Sequence, residues 1–222
     1  MLKMMRHHAK YFYVLFFIVI LSFLFWGVGT VDKTSSGGIV AEVGKNKITQ
    51  EDYYRAYDNA FKFYKELYKE KFDEEMQKKL NLKDTVLDSL IGNKVLLLAA
   101  AENGIKVSDE ELNHAIINEP AFMKNGVFDN QVYQNTLRLS RITPEAYESM
   151  KRQELTISRM TGLIELSAHP PVIDLGNVAS DEQTLKALKD AMLNDAKDKA
   201  VKAYINGYKK SLKIKEYRQL IS

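Results

Sequence analysis

Cysteine is missing from all 222 residues. No disulfide, thiol nucleophile or thiolate metal ligand can therefore take part, and stability has to come from packing. Histidine is almost as scarce, with only His7, His8, His114 and His169, which leaves little for imidazole catalysis or metal binding. Proline occurs only at 120, 144, 170 and 171, so long helices are uninterrupted over most of the chain. Acid is absent from the N-terminus, and the first carboxylate is Asp32. Lys3, Arg6 and Lys10 precede it and account for the whole excess of 32 basic over 29 acidic residues. The remainder is formally neutral, which argues against a nucleic-acid footprint.

What stands between Lys10 and Asp32 is the most informative stretch. Residues 11–31 (YFYVLFFIVILSFLFWGVGTV) carry no charge over 21 positions, roughly 30 Å as a helix, the thickness of a bilayer's hydrocarbon core. With basic residues on the N-terminal side only, the positive-inside rule keeps residues 1–10 in the cytoplasm and sends 32–222 across the membrane. A cleaved signal peptide is the alternative. The run exceeds the usual apolar region of roughly 7 to 15 residues, Trp26 suits an interfacial position, and no Ala-x-Ala site follows. The reading is an uncleaved single-span anchor, then a tether at 32–38 ending in Gly and Ser.

Beyond the tether the pattern is mainly helical. Residues 39–43 alternate, Gly44, Lys45 and Asn46 turn, and Lys47 and Ile48 resume, which predicts a short hairpin. Gly44-Lys45 is no P-loop, because the spacing to Gly38 is wrong and Asn46 stands where Ser or Thr is needed. Thr49 and Asp52 predict a cap opening a helix to about Phe72. Tyr53, Tyr57, Phe61, Tyr64, Tyr68 and Phe72 recur on it at helical steps, with Tyr54, Phe63 and Leu67 widening the stripe. That aromatic face is either packed against neighbouring helices or partly open to apolar peptide segments.

A short helix over 73–80 and a strongly apolar one from about Lys83 to Gly104 follow, the glycine suiting a left-handed cap. Ser108 and Glu111 form a capping box with Val107 and Leu112 as its staple. Pro120 ends that helix, and 121–128 (AFMKNGVF) is read as a loop turning at Asn125-Gly126. Asp129 caps a helix over 130–139, and Thr143 with Pro144 opens another to about Leu166. Residues 167–179 break the pattern as a linker. Ser180 and Gln183 box a helix to about Ser211, which has room to bend at Gly207, and 212–221 alternate like a short edge strand. Its one available partner is 39–48, so the two ends of this region should pair.

The sequence carries no catalytic motif. Glu111 and His114 make half of a di-iron carboxylate motif whose other half is missing. The clusters Asp73-Glu74-Glu75, Asp109-Glu110-Glu111 and Asp181-Glu182 sit at helix starts, where the macrodipole explains them. No cofactor, metal or catalytic residue is assigned.

The stub and anchor, the VAEVGKNKIT hairpin, AAENGIKVSDEEL, NEPAFMKNGVFDNQVYQNTL and TPEAYESMKRQELTISRM together resemble the chaperone module of PpiD- and SurA-type periplasmic folding factors. The likeness covers about 10–165 and, more loosely, 180–222. It implies a mainly α fold, a multi-helix domain with a small sheet built from its N- and C-terminal segments, in which helices cradle unfolded polypeptides. It also implies a bacterial inner-membrane location with the bulk in the periplasm. Such proteins usually insert a parvulin-type prolyl isomerase domain, and here only 167–179 stand in its place, too few to build a core. The expected function is an ATP-independent holdase without isomerase activity, not an enzyme, with the Sec translocon as an expected partner. Candidate peptide contacts are Tyr57, Phe61, Tyr64, Tyr68, Phe122, Met123 and Phe128. For Phe122 and Phe128 the alternative is that they pin their loop, with Tyr133, to the helices. A scaffold subunit of a translocon or envelope assembly complex is the second reading, and a divergent prolyl isomerase the third.

Overall fold

The computed structural model describes residues 38–169 and 182–221. The expected stub, anchor, most of the tether, most of the linker and the Ser180 cap lie outside these residues. Among the described residues no helix is long and apolar enough to cross a membrane.

Strand β1 (Ile39–Val43) turns at Gly44 into β2 (Asn46–Thr49). Gly44 has φ +60, a conformation that glycine adopts without strain. On the other side of β1 lies β5 (Ile214–Glu216), giving the order β2-β1-β5. The expected pairing of the two ends is therefore present, with Ala41 opposite Glu216 and Val43 opposite Ile214. It is shorter than the alternation over 212–221 suggests. After Glu216 the chain tightens into a 3₁₀ turn, Arg218–Leu220, which buries Ile221 in the core. Arg218 meanwhile reaches Asp84, Asp88 and Glu216.

Helix α1 (Gln50–Tyr68) opens on the reciprocal Thr49/Asp52 cap. It stops short of Phe72 because Lys69 leaves the helical conformation with a positive φ of 51, and a 3₁₀ turn over Lys69–Lys71 folds the chain back. Phe72 is thereby tucked against Phe61 and Tyr64, at ring separations of 5.2 and 6.0 Å. Helix α2 (Glu74–Lys79) is capped by the Asp73 carboxylate, which accepts from the Met76 N–H. Helix α3 (Leu82–Glu102) is apolar on nearly every side and packs against α1, two later helices and β1, the pattern expected of a buried helix. It ends before Gly104 at φ +67.

Helix α4 (Asp109–Ile117) carries the predicted Ser108/Glu111 box, with Val107 and Leu112 both buried. The expected loop at 121–128 is instead a 3₁₀ turn, Pro120–Phe122, and a minimal hairpin of β3 (Met123–Lys124) and β4 (Val127–Phe128). Asn125 and Gly126 both have positive φ, 54 and 80. That is the two-residue turn whose twist matches paired strands. Helices α5 (Asn130–Leu139) and α6 (Pro144–Glu165) begin at the predicted caps, Asp129 and Thr143. Helix α7 (Glu182–Lys209) continues through Gly207 and ends just before Ser211.

Among the described residues three apolar clusters result. The first joins the sheet, α1, α3 and the C-terminal tail. The second holds a small lobe of α4, the β3–β4 hairpin, α5 and the first half of α6. The third lies where the ends of α3 and α6 meet α7, around Leu96, Ala99, Ala100, Met160 and Ile164.

Candidate functional site

On α1 the inner line of aromatics is continuous. Tyr53 stacks on Tyr57 at 6.2 Å, Tyr57 lies 6.3 Å from Phe61, and Tyr64 stacks on Tyr68 at 6.1 Å. Tyr53 is buried and its hydroxyl donates to the Lys83 carbonyl at 3.2 Å. Burial pushes that phenol up to about 12. Tyr57, Phe61 and Tyr64 are half-buried in the first cluster, together with Phe72, Met76 and Leu80. The face is thus closed by the turn that follows α1 and by α2, while Tyr68 stays on the rim. What remains open is the flank: Phe63 is 62% exposed and Leu67 59%. At about 100° per residue both lie roughly a quarter turn from the line of Tyr57 and Tyr64. The sequence reading placed them at the margin of the stripe, and the helical wheel was the signal that separates them from it.

Around the hairpin, Phe122 is 2% exposed and packs edge-on against Tyr133 at 4.9 Å and Tyr147 at 5.2 Å. It holds the small lobe together. Met123 and Phe128 face each other across β3 and β4 and are half-buried. Phe122 and Phe128 therefore stand apart from the α1 aromatics, in a different apolar cluster, and Met123 pairs with Phe128 on the hairpin.

The small lobe is clamped to α6 by two arginines. Arg152 donates to the Val107 carbonyl and to Asp109, and Arg159 to the Lys106 carbonyl and to Glu111. Both Glu111 oxygens are occupied, one by the Ser108 N–H at 2.8 Å and the other by Arg159. The Ser108 N–H first, and then the Arg159 guanidinium, hold that carboxyl down at about 2. His114 turns to Asn118 instead, 3.3 Å away. Among the described residues no group of three His, Asp or Glu side chains converges as a metal site.

Two concavities differ in character. One of about 520 Å³, between α1, α2, α3 and the tail, is lined by charged side chains including Lys78, Lys83, Asp84 and Arg218. The other, about 470 Å³, lies between the ends of α3 and α6 beside α7, and no charged side chain lines it.

The SurA-like N-terminal domain family matches residues 1–161. Three periplasmic chaperones named PpiD are similar to this chain. The Haemophilus influenzae protein is 25% identical over 146 residues, covering 64% of this chain and 24% of its own length. The Haemophilus ducreyi protein is 25% identical over 173 residues, covering 76% and 28%. The Escherichia coli protein is 26% identical over 150 residues, covering 66% and 24%. The chain thus spans about a quarter of the length of the curated relatives it matches. Since the match takes in residues 1–161, well over half of the chain, this protein belongs to the SurA-like N-terminal domain family.

Proposed function

We propose that this protein is a membrane-anchored, ATP-independent holdase that captures apolar segments of unfolded or newly translocated polypeptides. Residues 11–31 serve as the anchor in the inner membrane, with the stub at 1–10 cytoplasmic and the folded region in the periplasm. The reading is supported by family membership and by relatives named periplasmic chaperones. The observation that carries it is the pair Phe63 and Leu67, left in solvent on a helix whose neighbouring face is fixed by a rib of packed aromatics. Exposed apolar side chains on a rigid support mark interaction surfaces. Each client side chain fully enclosed contributes about 1.5 to 3 kcal/mol, so affinity builds from many weak contacts without a fixed sequence code. Tyr64, Tyr68, Met123 and Phe128, partly accessible, extend the candidate contact area, while Tyr57, Phe61 and Phe122 act mainly by shaping it. An anchor at the exit site of the Sec translocon raises the effective concentration of clients.

Isomerase activity is not part of the proposal. Strand β5 closes on β1 with only the 167–179 segment where a parvulin domain would be inserted. The test is dilution of a chemically unfolded client into buffer with the full chain in lipid nanodiscs. Light scattering should fall with increasing chain and be indifferent to ATP. Undiminished scattering at molar excess would overturn the proposal.

A further inference from the structure

We infer that the uncharged cleft between the ends of α3 and α6 is a subsite for one large apolar side chain of an extended polypeptide and the peptide N–H groups beside it. The inference rests on the holdase reading and adds to it where, and by what chemistry, a client is held. Ile105, Met160, Ile164 and Tyr204 line the cleft with Asn103 and Ser167 at its polar positions. Its floor is fixed by the third cluster, in which Met160 is buried among Ala99, Ala100 and Leu96. A thioether in that place adapts to side chains of different shape. Leu163, 50% exposed, and Leu166, 81% exposed, extend the apolar surface along the end of α6. The volume of about 470 Å³ falls within the roughly 300 to 1,000 Å³ range of small-ligand sites.

The polar atoms decide what enters. The Asn103 amide nitrogen donates to the Ala99 carbonyl at 2.8 Å, and the Ser167 hydroxyl donates to the Ile164 carbonyl at 2.6 Å. Ser167 has left a hydroxyl oxygen that accepts, and Asn103 a carbonyl oxygen that accepts together with one remaining N–H. With no cation among the lining residues, a carboxylate or phosphate finds no charge partner and loses its hydration. An extended peptide supplies what is missing: N–H groups for the two acceptor oxygens and a C=O for the remaining Asn103 N–H, alternating with side chains. The charged concavity of about 520 Å³ at the other end of α3 offers the opposite environment.

The experiment uses the full chain in nanodiscs and two probes, both read by fluorescence anisotropy. One is labelled, reduced and carboxymethylated lactalbumin, which stays unfolded. The other is a labelled Gly/Ser nonapeptide with a central Leu-Phe-Leu, made also with the phenylalanine nitrogen methylated. Leu163→Glu and Leu166→Glu, at positions open to solvent, should each weaken both probes by about tenfold, equivalent to about 1.4 kcal/mol. Leu139→Glu, as open as Leu166 but on the small lobe, should change nothing. Methylation should weaken the peptide similarly. Unaltered binding by both α6 variants overturns the subsite, as does equal weakening by Leu139→Glu. Unaltered binding of the methylated peptide overturns its acceptor chemistry. If the unmutated chain binds neither probe, the holdase reading itself fails and the subsite with it.

Discussion

Glu111 has two carboxylate oxygens and a set of donors that no neighbouring acid shares: the Ser108 N–H and hydroxyl on one oxygen, the Arg159 guanidinium on the other. Its carboxyl sits at about 2 in the folded protein against an ordinary 4.5. Between those values the unfolded chain binds the proton and the folded chain does not, so stability rises with pH there. The stabilisation is complete above about pH 4.5 and is lost as pH falls towards 2. Thermal melts of the full chain and of Glu111→Gln, compared across pH, should show a gap at neutral pH that closes on acidification. A gap independent of pH would mean that the carboxylate's charge contributes nothing. The same residue was the obvious partner for His114 in a metal reading, and its geometry shows why spacing alone misleads: a capping glutamate is already engaged by its own helix terminus.

Among elements, those specified by neighbours in sequence were legible and those specified at a distance were not. The Thr49/Asp52 and Ser108/Glu111 boxes and the Asp129 and Thr143 caps join side chains to backbone within three residues, so composition reveals them. The end of α1 depends on Phe72 returning under Phe61 and Tyr64, a tertiary contact that periodicity carries straight through. For the same reason the stripe on α1 and the position of its flank were readable, but not which of them α3 covers. The cleft beside α7 draws on α3, α6 and α7 and has no local signature at all. Helix α3 offers an element-scale test at Gly92, where α7 passes close. A methyl group there would meet the Ile205 Cδ1 atom at 3.6 Å, ordinary van der Waals contact. Gly92→Ala should therefore gain the helix propensity difference of about 0.5 to 1 kcal/mol, read as a higher urea midpoint. A lower midpoint would show that the α3–α7 crossing has no slack.

For the whole molecule, the decisive contacts join residues at opposite ends of the folded region. Strand β1 is central only because β5 completes the sheet. The Gly44 N–H donates to the Lys213 carbonyl at 3.0 Å and the Tyr217 N–H to the Val40 carbonyl at 2.9 Å. Ile221 fills the first cluster, and Arg218 links the tail to Asp84 and Asp88 on α3. Removing residues 212–222 would expose one edge of β1, open a cavity at Ile221 costing about 2 to 5 kcal/mol, and forfeit backbone bonds worth about 1 kcal/mol each. Against a total of about 5 to 15 kcal/mol for an ordinary domain, most of the stability would go. The truncated chain should lose its cooperative urea transition and be cut rapidly by protease near β1 and β2. A truncation that melted at the same midpoint would show that the tail merely decorates the core. If it collapses as expected, the region cannot close until β5 is in place beside β1. Until then β1 is paired with β2 alone, and under the holdase proposal its other edge is open to the kind of segment that the finished domain is proposed to hold.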